Sequence, residues 1–274
     1  MKRLVKNSFS LFLWLLRRVS LFRSPSVRVI LGHDTPSESY AWWERLILEL
    51  RRDFDFITPE EFTDYIEGNL KLKRNAILLT LDDGFHSNYD FCKNVLCRNN
   101  ISALCFIIDD FIGLNESLSV EFIRKNIYPI ATSIPAHWKP MNSRELNELL
   151  NLNHEFGYHT KSHMSMKHST DYEFESNYLE KPKSPILKKN GMKFLAYPFG
   201  DMRNVSMDRI QILAKRYDYI FTGFCGWTKP ASSIIPRDSV SHIDPIRTTL
   251  FKIYGGFDIL YWFRRYKIKN GLRK

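Results

Sequence analysis

Short apolar, β-branched runs alternate with helix-like segments along most of this chain, and that alternation restricts the possible folds most. The predicted strands cover residues 27–31, 76–81, 103–108, 155–159, 194–198, 219–222 and 234–236. The predicted helices cover residues 42–54, 59–68, 89–99, 143–152 and 206–217. Strands that are separated by helices pair in parallel, because a parallel pair needs a long crossover connection. The sequence therefore predicts an α/β body, built as an open sheet or as a barrel.

Basic charge is concentrated at the two ends of the chain. The composition, 44% hydrophobic and 26% charged, is typical of a folded globular protein and excludes general disorder. Residues 1–33 contain seven Lys or Arg and no acid, and residues 246–274 contain eight basic residues and one acid, so each end carries +7. The net charge of +10 leaves 10 − 14 = −4 for the middle. This distribution disfavours nucleic-acid binding and favours attachment of the ends to an anionic surface such as a membrane.

Both ends have the residue pattern of basic amphipathic helices. Residues 3–22 predict such a helix, and their longest apolar run, residues 11–16, is too short to cross a bilayer. Residues 250–269 mix aromatic and basic side chains, which suits a membrane headgroup layer and equally suits packing on the body. We divide the chain into a basic N-terminal segment (1–24), a central domain (25–245) and a basic aromatic C-terminal helix (246–274).

The predicted location is the cytoplasm, with peripheral contact at the inner membrane. The chain has four cysteines and no CxxC pair, which fits a reducing compartment. No signal-peptide pattern with a cleavage site of small residues precedes Pro25, so export is the less favoured alternative.

Polar side chains follow the predicted strands where the strands end. They are His33, Asp82, Asp83, His159, His163, Phe199-Gly200-Asp201 and Arg237. In α/β folds the carboxyl ends of the strands carry the chemistry. Two carboxylates and three histidines at one edge are the donors that a metal site with an acid/base pair requires.

The adjacent carboxylates Asp82 and Asp83 are followed by Gly84. Consecutive side chains of a strand point to opposite faces, but a turn at a glycine can bring both carboxylates to one mouth. One could then bind a metal while the other stays free. Taken alone, Asp-Asp-Gly is also an ordinary turn sequence.

His159 and His163 are spaced i, i+4, which suits two ligands of one ion. Zinc takes neutral imidazole nitrogens with a carboxylate oxygen as a third ligand and leaves a position open for water. The metalloprotease pattern HExxH is absent, because Thr160 follows His159. Taken alone, the pair fits a solvated loop as well, since other histidines lie nearby.

Three motifs together resemble, in order and spacing, those of the polysaccharide deacetylases, the carbohydrate esterases with a NodB-homology domain. The motifs are TLDDGF at 80–85, HTKSH at 159–163 and AYPFG at 196–200, where the family usually has TFDDG, H(S/T)xxH and RxPYG. The resemblance covers residues 27–240, and residues 29–34 resemble the opening of the branch that acts on N-acetylated exopolysaccharides. It implies a distorted (β/α) barrel of about seven parallel strands, here with basic amphipathic helices at both ends.

The resemblance also implies roles for the motif residues. Asp83, His159 and His163 would hold a divalent metal, in the first place Zn²⁺, with Co²⁺, Ni²⁺ or Mn²⁺ as alternatives. Asp82 would be the general base that activates water. The backbone N–H of Phe199 would help to stabilise the oxyanion.

Two motif positions depart from the family pattern. The arginine that usually orients the base is Ala196 here, and the proline expected after the second metal histidine is Met164. We hypothesise that Arg237, from the last strand, restores the positive charge beside the base.

The general acid and the sugar contacts are less closely defined. His33 is the predicted acid, because histidine titrates near neutrality, and His242 is the alternative, as a loose match to the family's late histidine motif. Tyr197 and Trp227 could stack on a sugar face, although an aromatic residue is more often simply part of a core.

The predicted function is a metal-dependent hydrolase that removes the N-acetyl group from an acetamido sugar in polysaccharide or glycolipid biosynthesis. One alternative, motivated by the missing motif arginine, is a catalytically inactive sugar-binding or scaffold subunit. Another is a deformylase of a lipid-linked amino sugar, which shares the metal chemistry. The expected partners are an N-acetylated saccharide, free or lipid-linked, and an anionic membrane surface, with no nucleic acid.

Overall fold

The computed structural model describes residues 24–201 and 204–271, so the predicted N-terminal helix (3–22) lies outside the described residues. The strands are β1 (Val27–Gly32), β2 (Asp55–Phe56), β3 (Ala76–Leu81), β4 (Ala103–Ile107), β5 (Glu155–Tyr158), β6 (Phe194–Ala196), β7 (Tyr219–Phe221), β8 (Trp227–Thr228), β9 (Ile234–Ile235) and β10 (Asp238–Ser239). Each of the seven predicted strands is present, within two residues at either end.

The sheet is nearly closed into a barrel. Its strand order is β10-β1-β3-β4-β5-β6-β7-β9, and every neighbouring pair along this path is parallel. Only Pro236 and Arg237 separate β9 from β10. The short segment 234–239 therefore pairs with β7 through its first half and with β1 through its second half. This closure confirms the predicted distorted (β/α) barrel of about seven parallel strands.

Nine helices surround the barrel in the described chain. They are α1 (Tyr40–Leu50), α2 (Pro59–Glu67), α3 (His86–Phe91), α4 (Glu116–Phe122), α5 (Ser143–Asn151), α6 (Asp171–Phe174), α7 (Met207–Leu213), α8 (Ile246–Ile253) and α9 (Asp258–Gly271). All five predicted helices are present, and the third continues beyond α3 through tighter and wider turns to Asn99. None of the described helices is both long and apolar enough to cross a membrane.

Helix α5 begins at Ser143, where the predicted helix 143–152 also begins. In the structure Asn142 is the N-cap, and its side chain accepts hydrogen bonds from the backbone of Arg144 and Glu145. The Glu145 carboxylate in turn accepts from the Asn142 backbone N–H at 3.0 Å, which completes a capping box.

Alternation along the strands sorts side chains between the inside and the outside of the barrel. Val27 and Val29 of β1 join an interior cluster, while Ile30 joins the cluster between the sheet and the helices. Phe62 and Ile66 of α2 belong to the interior cluster and close the end of the barrel where the strands begin. The opposite end, where the strands finish, stays open.

The C-terminal stretch forms two helices that pack on the barrel. α8 contacts α1 and α9 contacts α7. The two helices are separated at Gly255, whose φ of +94° lies in the left-handed region that favours glycine. Arg28 of β1 reaches outward to Asp258, the first residue of α9, at 2.9 Å. The C-terminal helices are thereby tied to the first strand.

Candidate active site

A cavity of about 260 Å³ opens at the carboxyl ends of the strands. It is lined by Leu31, His33, Asp82, Asp83, Ile127, Tyr128, His159, His163, Tyr197, Phe199, Gly200, Asp201, Gly223, Arg237 and Ser239. Eight residues that the sequence predicts for the site are among them, namely His33, Asp82, Asp83, His159, His163, Tyr197, Phe199 and Arg237, whereas His242 and Trp227 are not. The structure therefore brings together in one cavity side chains that are more than two hundred residues apart in sequence.

The two adjacent carboxylates reach the cavity because the chain turns directly after β3. Asp82 continues the inward alternation of β3, whereas Asp83 has a φ of +75° and Gly84 a φ of +85°. This left-handed turn redirects Asp83 to the same mouth as Asp82. A positive φ at a non-glycine residue costs on the order of 1–3 kcal/mol, so the surrounding structure must hold Asp83 in place.

Asp83, His159 and His163 form a buried cluster with the geometry of a metal-binding triad. Their candidate ligand atoms all lie within 4.8 Å of one another. The Oδ1 atom of Asp83 is 3.5 Å from Nε2 of each histidine. Both carboxylate oxygens of Asp83 are buried without a hydrogen-bond partner in the described chain. Because a buried carboxylate without a partner is costly, these atoms fit a divalent cation.

Backbone carbonyls orient both histidines. The Nδ1 of His159 donates to the Ala196 carbonyl at 2.6 Å, and the Nδ1 of His163 donates to the Asn126 carbonyl at 2.7 Å. A carbonyl oxygen only accepts, so each Nδ1 carries the proton, and in the neutral imidazole each Nε2 presents a lone pair to the cluster. This is the tautomer that a zinc ligand needs.

Burial and charge act differently on the three groups. Burial opposes ionisation of Asp83, but the imidazoles of His159 and His163 outweigh it and lower the pKa of Asp83 to about 2. Burial lowers the pKa of His163 to about 4, which keeps its imidazole neutral at neutral pH. Burial also acts against protonation of His159, but Asp82 and Asp83 more than offset it and raise its pKa.

The backbone of the site is strained in several places. Four of the seven non-glycine residues with positive φ in the described chain are Asp83, Thr160, His163 and Phe199, all in the cavity or beside it. Such a φ is especially unusual for Thr160, because its side chain is β-branched. Strain of this kind persists only where surrounding contacts fix the conformation, which indicates a pre-organised site.

Arg237 forms a buried bidentate ion pair with Asp82. Its two terminal nitrogens lie 2.7 and 2.9 Å from the two carboxylate oxygens, and its Nε donates to the Thr222 carbonyl at 3.0 Å. The guanidinium stands 5.2 Å from the ring centre of Phe106, inside the barrel. Ala196 belongs to the same interior cluster as Phe106. The positive charge beside Asp82 thus comes from the segment that closes the barrel, while the motif position holds only a methyl group.

The third motif contributes one exposed and one buried ring. Phe199 is 44% exposed, and its ring centre lies 4.8 Å from that of His163. Tyr197 is fully buried, and its hydroxyl donates to the Gly200 carbonyl at 3.3 Å. A Cβ on Gly200 would stand 2.9 Å from the backbone of Gly223, so the motif loop requires glycine there. Phe199, not Tyr197, is therefore the ring of this motif that a ligand can reach.

The two candidate general acids and Trp227 lie in different parts of the structure. His33 lines the cavity and is half-buried, whereas His242 is not among the described lining residues. Trp227 lies at the opposite end of the barrel, in β8, where it pairs with Arg28 near the start of β1. A sugar in this cavity cannot stack on Trp227, so that suggestion is wrong. Alternation along a strand cannot tell which end of the barrel a residue occupies.

Sequence reasoning missed the segment that forms one wall of the cavity. Tyr128 lines the cavity, and its ring stacks on Trp138 with centroids 4.4 Å apart. The neighbouring Asn126 supports His163 through its carbonyl. The Nε1 of Trp138 donates at 2.7 Å to Asp34, the residue that directly follows His33. No periodicity marks this segment in the sequence, since its contacts are made by a loop.

Comparison with known proteins agrees with this geometry. The family model for polysaccharide deacetylases matches residues 69–218, more than half of the chain. The chain belongs to the polysaccharide deacetylase family. It is therefore a hydrolase of the N-deacetylase type, which acts on amide bonds, and its family implies an N-acetylated saccharide as substrate. A search of curated proteins found no match.

Several solved structures share the fold of this deacetylase. IcaB from Ammonifex degensii has a TM-score of 0.62 and 19% identity over 85% of this chain and 98% of its own. The Streptococcus pyogenes deacetylase PplD, in complex with acetate, has a TM-score of 0.62 and 16% identity over 84% and 99%. The BpsB deacetylase domain from Bordetella bronchiseptica has a TM-score of 0.59 and 17% identity over 80% and 97%. At these identities the likeness shows the fold alone.

Proposed function

We propose that this deacetylase is a metal-dependent enzyme that removes the N-acetyl group from an acetamido sugar. The observation that carries the proposal is the buried triad of Asp83, His159 and His163, with Asp82 held beside it by Arg237. The unpartnered Asp83 oxygens and the two Nε2 lone pairs supply three ligands and leave room for others. A divalent cation bound there would polarise a carbonyl oxygen and make water more acidic.

Asp82 is the proposed general base. Arg237 engages both of its oxygens, so the carboxylate is fixed in orientation, and each oxygen keeps a lone pair for a further partner. Asp82 takes a proton from water as the water oxygen attacks the acetamide carbonyl carbon. The backbone N–H of Phe199 is the proposed donor to the oxygen that gains charge in this step.

His33 is the proposed general acid. It lines the cavity on the side of β1, whereas His242 does not line it. When the C–N bond breaks, the leaving amine takes a proton from the His33 imidazolium, and acetic acid carries away the oxygen delivered by water. The proton that Asp82 took from water returns to His33 through solvent, so the products are acetic acid and the free amino sugar, and atoms and protons balance.

The finer substrate and setting are part of the same proposal. Zn²⁺ is the proposed metal, because two imidazoles and one carboxylate form a set of ligands that zinc prefers. An N-acetylated exopolysaccharide or a lipid-linked precursor is the proposed substrate, supported by the resemblance at residues 29–34 and by two structural neighbours, PplD and BpsB, that are named as deacetylases. We place the reaction in the cytoplasm, with the basic ends at the inner membrane surface.

The test combines metal content with acetate release. Purified protein is assayed on N-acetylglucosamine oligomers and on a lipid-linked N-acetyl sugar, with formate measured in parallel on the formyl analogue. We expect about one metal per chain and acetate release in the wild type. Asp82→Asn should retain the metal and lose activity by about 10²–10⁴-fold, the usual share of acid–base catalysis. His159→Ala should lose the metal as well.

His168→Ala is the matched control, because this histidine is exposed and lies outside the cavity. It should keep both metal and activity. Metal bound without acetate release, but with formate release, would replace deacetylation by deformylation. A wild type that binds no metal and retains activity would refute the metal-dependent mechanism.

A further inference from the structure

Exposed apolar side chains are concentrated on one helix at the C-terminus. Thirteen large hydrophobic residues are exposed in the described chain, and five of them fall within eight residues of α9. They are Ile259 (82% exposed), Leu260 (69%), Trp262 (59%), Phe263 (65%) and Tyr266 (52%). The other eight are scattered over separate elements. Isolated exposed apolar residues need no explanation, but a contiguous group of this kind marks an interaction surface.

The faces of α9 are clearly separated. Ile268 is 1% exposed and faces the body, on the same side as Arg265, which donates to the Cys225 and Asp258 carbonyls. At 100° per residue, Ile259, Trp262, Phe263 and Tyr266 fall on the opposite side. We call these four residues the outer face of α9. Trp262 and Tyr266 stack on one another within it, with ring centroids 5.4 Å apart.

Basic side chains flank the outer face. Arg264 and Lys267 are exposed and lie three residues apart along one edge of it. The only acid in α9 is Asp258, and its carboxylate is paired with the buried Arg28. Because no other acid of α9 offsets Arg264 and Lys267, this helix surface is apolar in the middle and positively charged at its border.

The positive charge of Arg264 and Lys267 indicates which partner covers the outer face of α9. A second copy of the chain would bring the same two cations against each other. The segment 1–23 of this chain is also basic, with no acid among its residues. An anionic lipid surface offers opposite charge to Arg264 and Lys267 and an acyl layer to the apolar stripe. Trp and Tyr rings favour the same boundary between lipid and water.

We propose that the outer face of α9 is a peripheral docking surface for an anionic lipid bilayer. The apolar side chains insert at the headgroup boundary, and the flanking cations contact lipid phosphates. The Arg28–Asp258 ion pair fixes α9 on the barrel, so docking holds the whole enzyme at the membrane. The proposal rests on the membrane placement in the proposed function and specifies the surface that makes the contact, but it does not depend on the proposed reaction.

Vesicle flotation of the full chain tests this assignment. Binding is measured on phosphatidylcholine vesicles with and without phosphatidylglycerol, at low and high salt. We expect binding only with the anionic lipid, weakened by salt. Ile259→Glu and Arg264→Glu should each lower the partition coefficient at least about fivefold, since one charge near such a surface contributes about that factor.

Matched controls separate α9 from the rest of the chain. Ile243→Glu changes an isoleucine of nearly equal exposure (81%) outside α9, and Arg144→Glu changes an arginine that is 88% exposed. Both should bind like the wild type. If the α9 variants bind as tightly as these controls, another part of the chain carries the binding and the proposal is wrong. A wild-type dimer that Ile259→Glu dissociates, with no vesicle binding, would assign the face to a second copy instead.

Discussion

Two buried arginines, Arg28 and Arg237, each pair with aspartate, and they do so on opposite sides of the barrel wall. Arg28 points outward, where it contacts both oxygens of Asp238 at 2.6 and 2.7 Å and both oxygens of Asp258 at 2.9 Å. Arg237 points inward and pairs with Asp82 alone. Outside the barrel, two carboxylates occupy the hydrogen-bond donors of Arg28. Inside it, Asp82 keeps lone pairs that face the cavity.

The two ion pairs meet in a single short segment. Arg237 and Asp238 are consecutive, so their side chains leave the strand on opposite faces. The segment pairs with β7 before Arg237 and with β1 from Asp238 onward. The step that closes the barrel therefore also places an arginine beside the proposed base and ties the first strand to the closing segment. An arginine–aspartate ion pair therefore stabilises the fold outside the barrel and positions the proposed base inside it.

Removing Arg28 should give the largest effect on stability. Arg28→Met leaves Asp238 buried without its partner, and breaking a buried ion pair in this way costs about 3–5 kcal/mol. We expect the free energy of unfolding, from urea denaturation, to fall by that amount, while kcat of the folded fraction is nearly unchanged. Arg74→Met is the control, because the Arg74–Asp55 pair is exposed and should contribute only about 0–1 kcal/mol.

If Arg28→Met does not fold, its free energy of unfolding cannot be measured, so a second variant is needed. Arg28→Met combined with Asp238→Asn removes the uncompensated charge and should recover part of the lost stability. We call Arg28, Asp238 and Asp258 the outward cluster. If Arg28→Met is as stable as Arg74→Met, the outward cluster does not hold the segment 234–239 that closes the barrel.

Removing Arg237 should lower the activity of the folded fraction as well as the stability, because Asp82 is as buried as Asp238 and would also lose its partner. Arg237→Met frees Asp82 to rotate, so we expect kcat/KM to fall about 10²–10³-fold, within the range of acid–base catalysis. Metal content and KM should change little, because the triad does not include Arg237. Arg237→Lys keeps the charge but not the bidentate geometry, so its kcat/KM should lie between those of the wild type and Arg237→Met. A large loss of metal in Arg237→Met would show that Arg237 supports the triad and not the base.

The sequence predicts the residues of the inner site better than it predicts the ion pairs of the two arginines. Asp82 and Asp83 directly follow the buried apolar strand β3, and His159 directly follows β5, so the sequence predicts that they lie at one edge of the sheet. Their metal-binding and catalytic roles, and that of His163, are implied by the resemblance to the family motifs. Arg237 was suggested as a source of charge, but its pairing with Asp82 spans 155 residues and depends on barrel closure. Arg28 gives no signal at all, since a lone arginine in an apolar strand does not show which carboxylates will meet it. Tyr128 is hidden for the same reason, because a loop without periodicity carries it to the cavity.

The pH dependence of stability gives the smallest and sharpest test of the outward cluster. Burial raises the pKa of Asp238 to about 6, and Arg28 offsets this only in part. A carboxyl whose folded pKa lies above its unfolded value takes up a proton on folding at mildly acidic pH, so its contribution to stability is lost as pH rises through 6. Relative to Asp238→Asn, the wild type should therefore gain about 1 kcal/mol in unfolding free energy between pH 7 and pH 5. Groups elsewhere titrate in both proteins and largely cancel in this difference. A change of the opposite sign would mean that Arg28 depresses the pKa of Asp238, and that the outward pair is held by charge as firmly as the inward one.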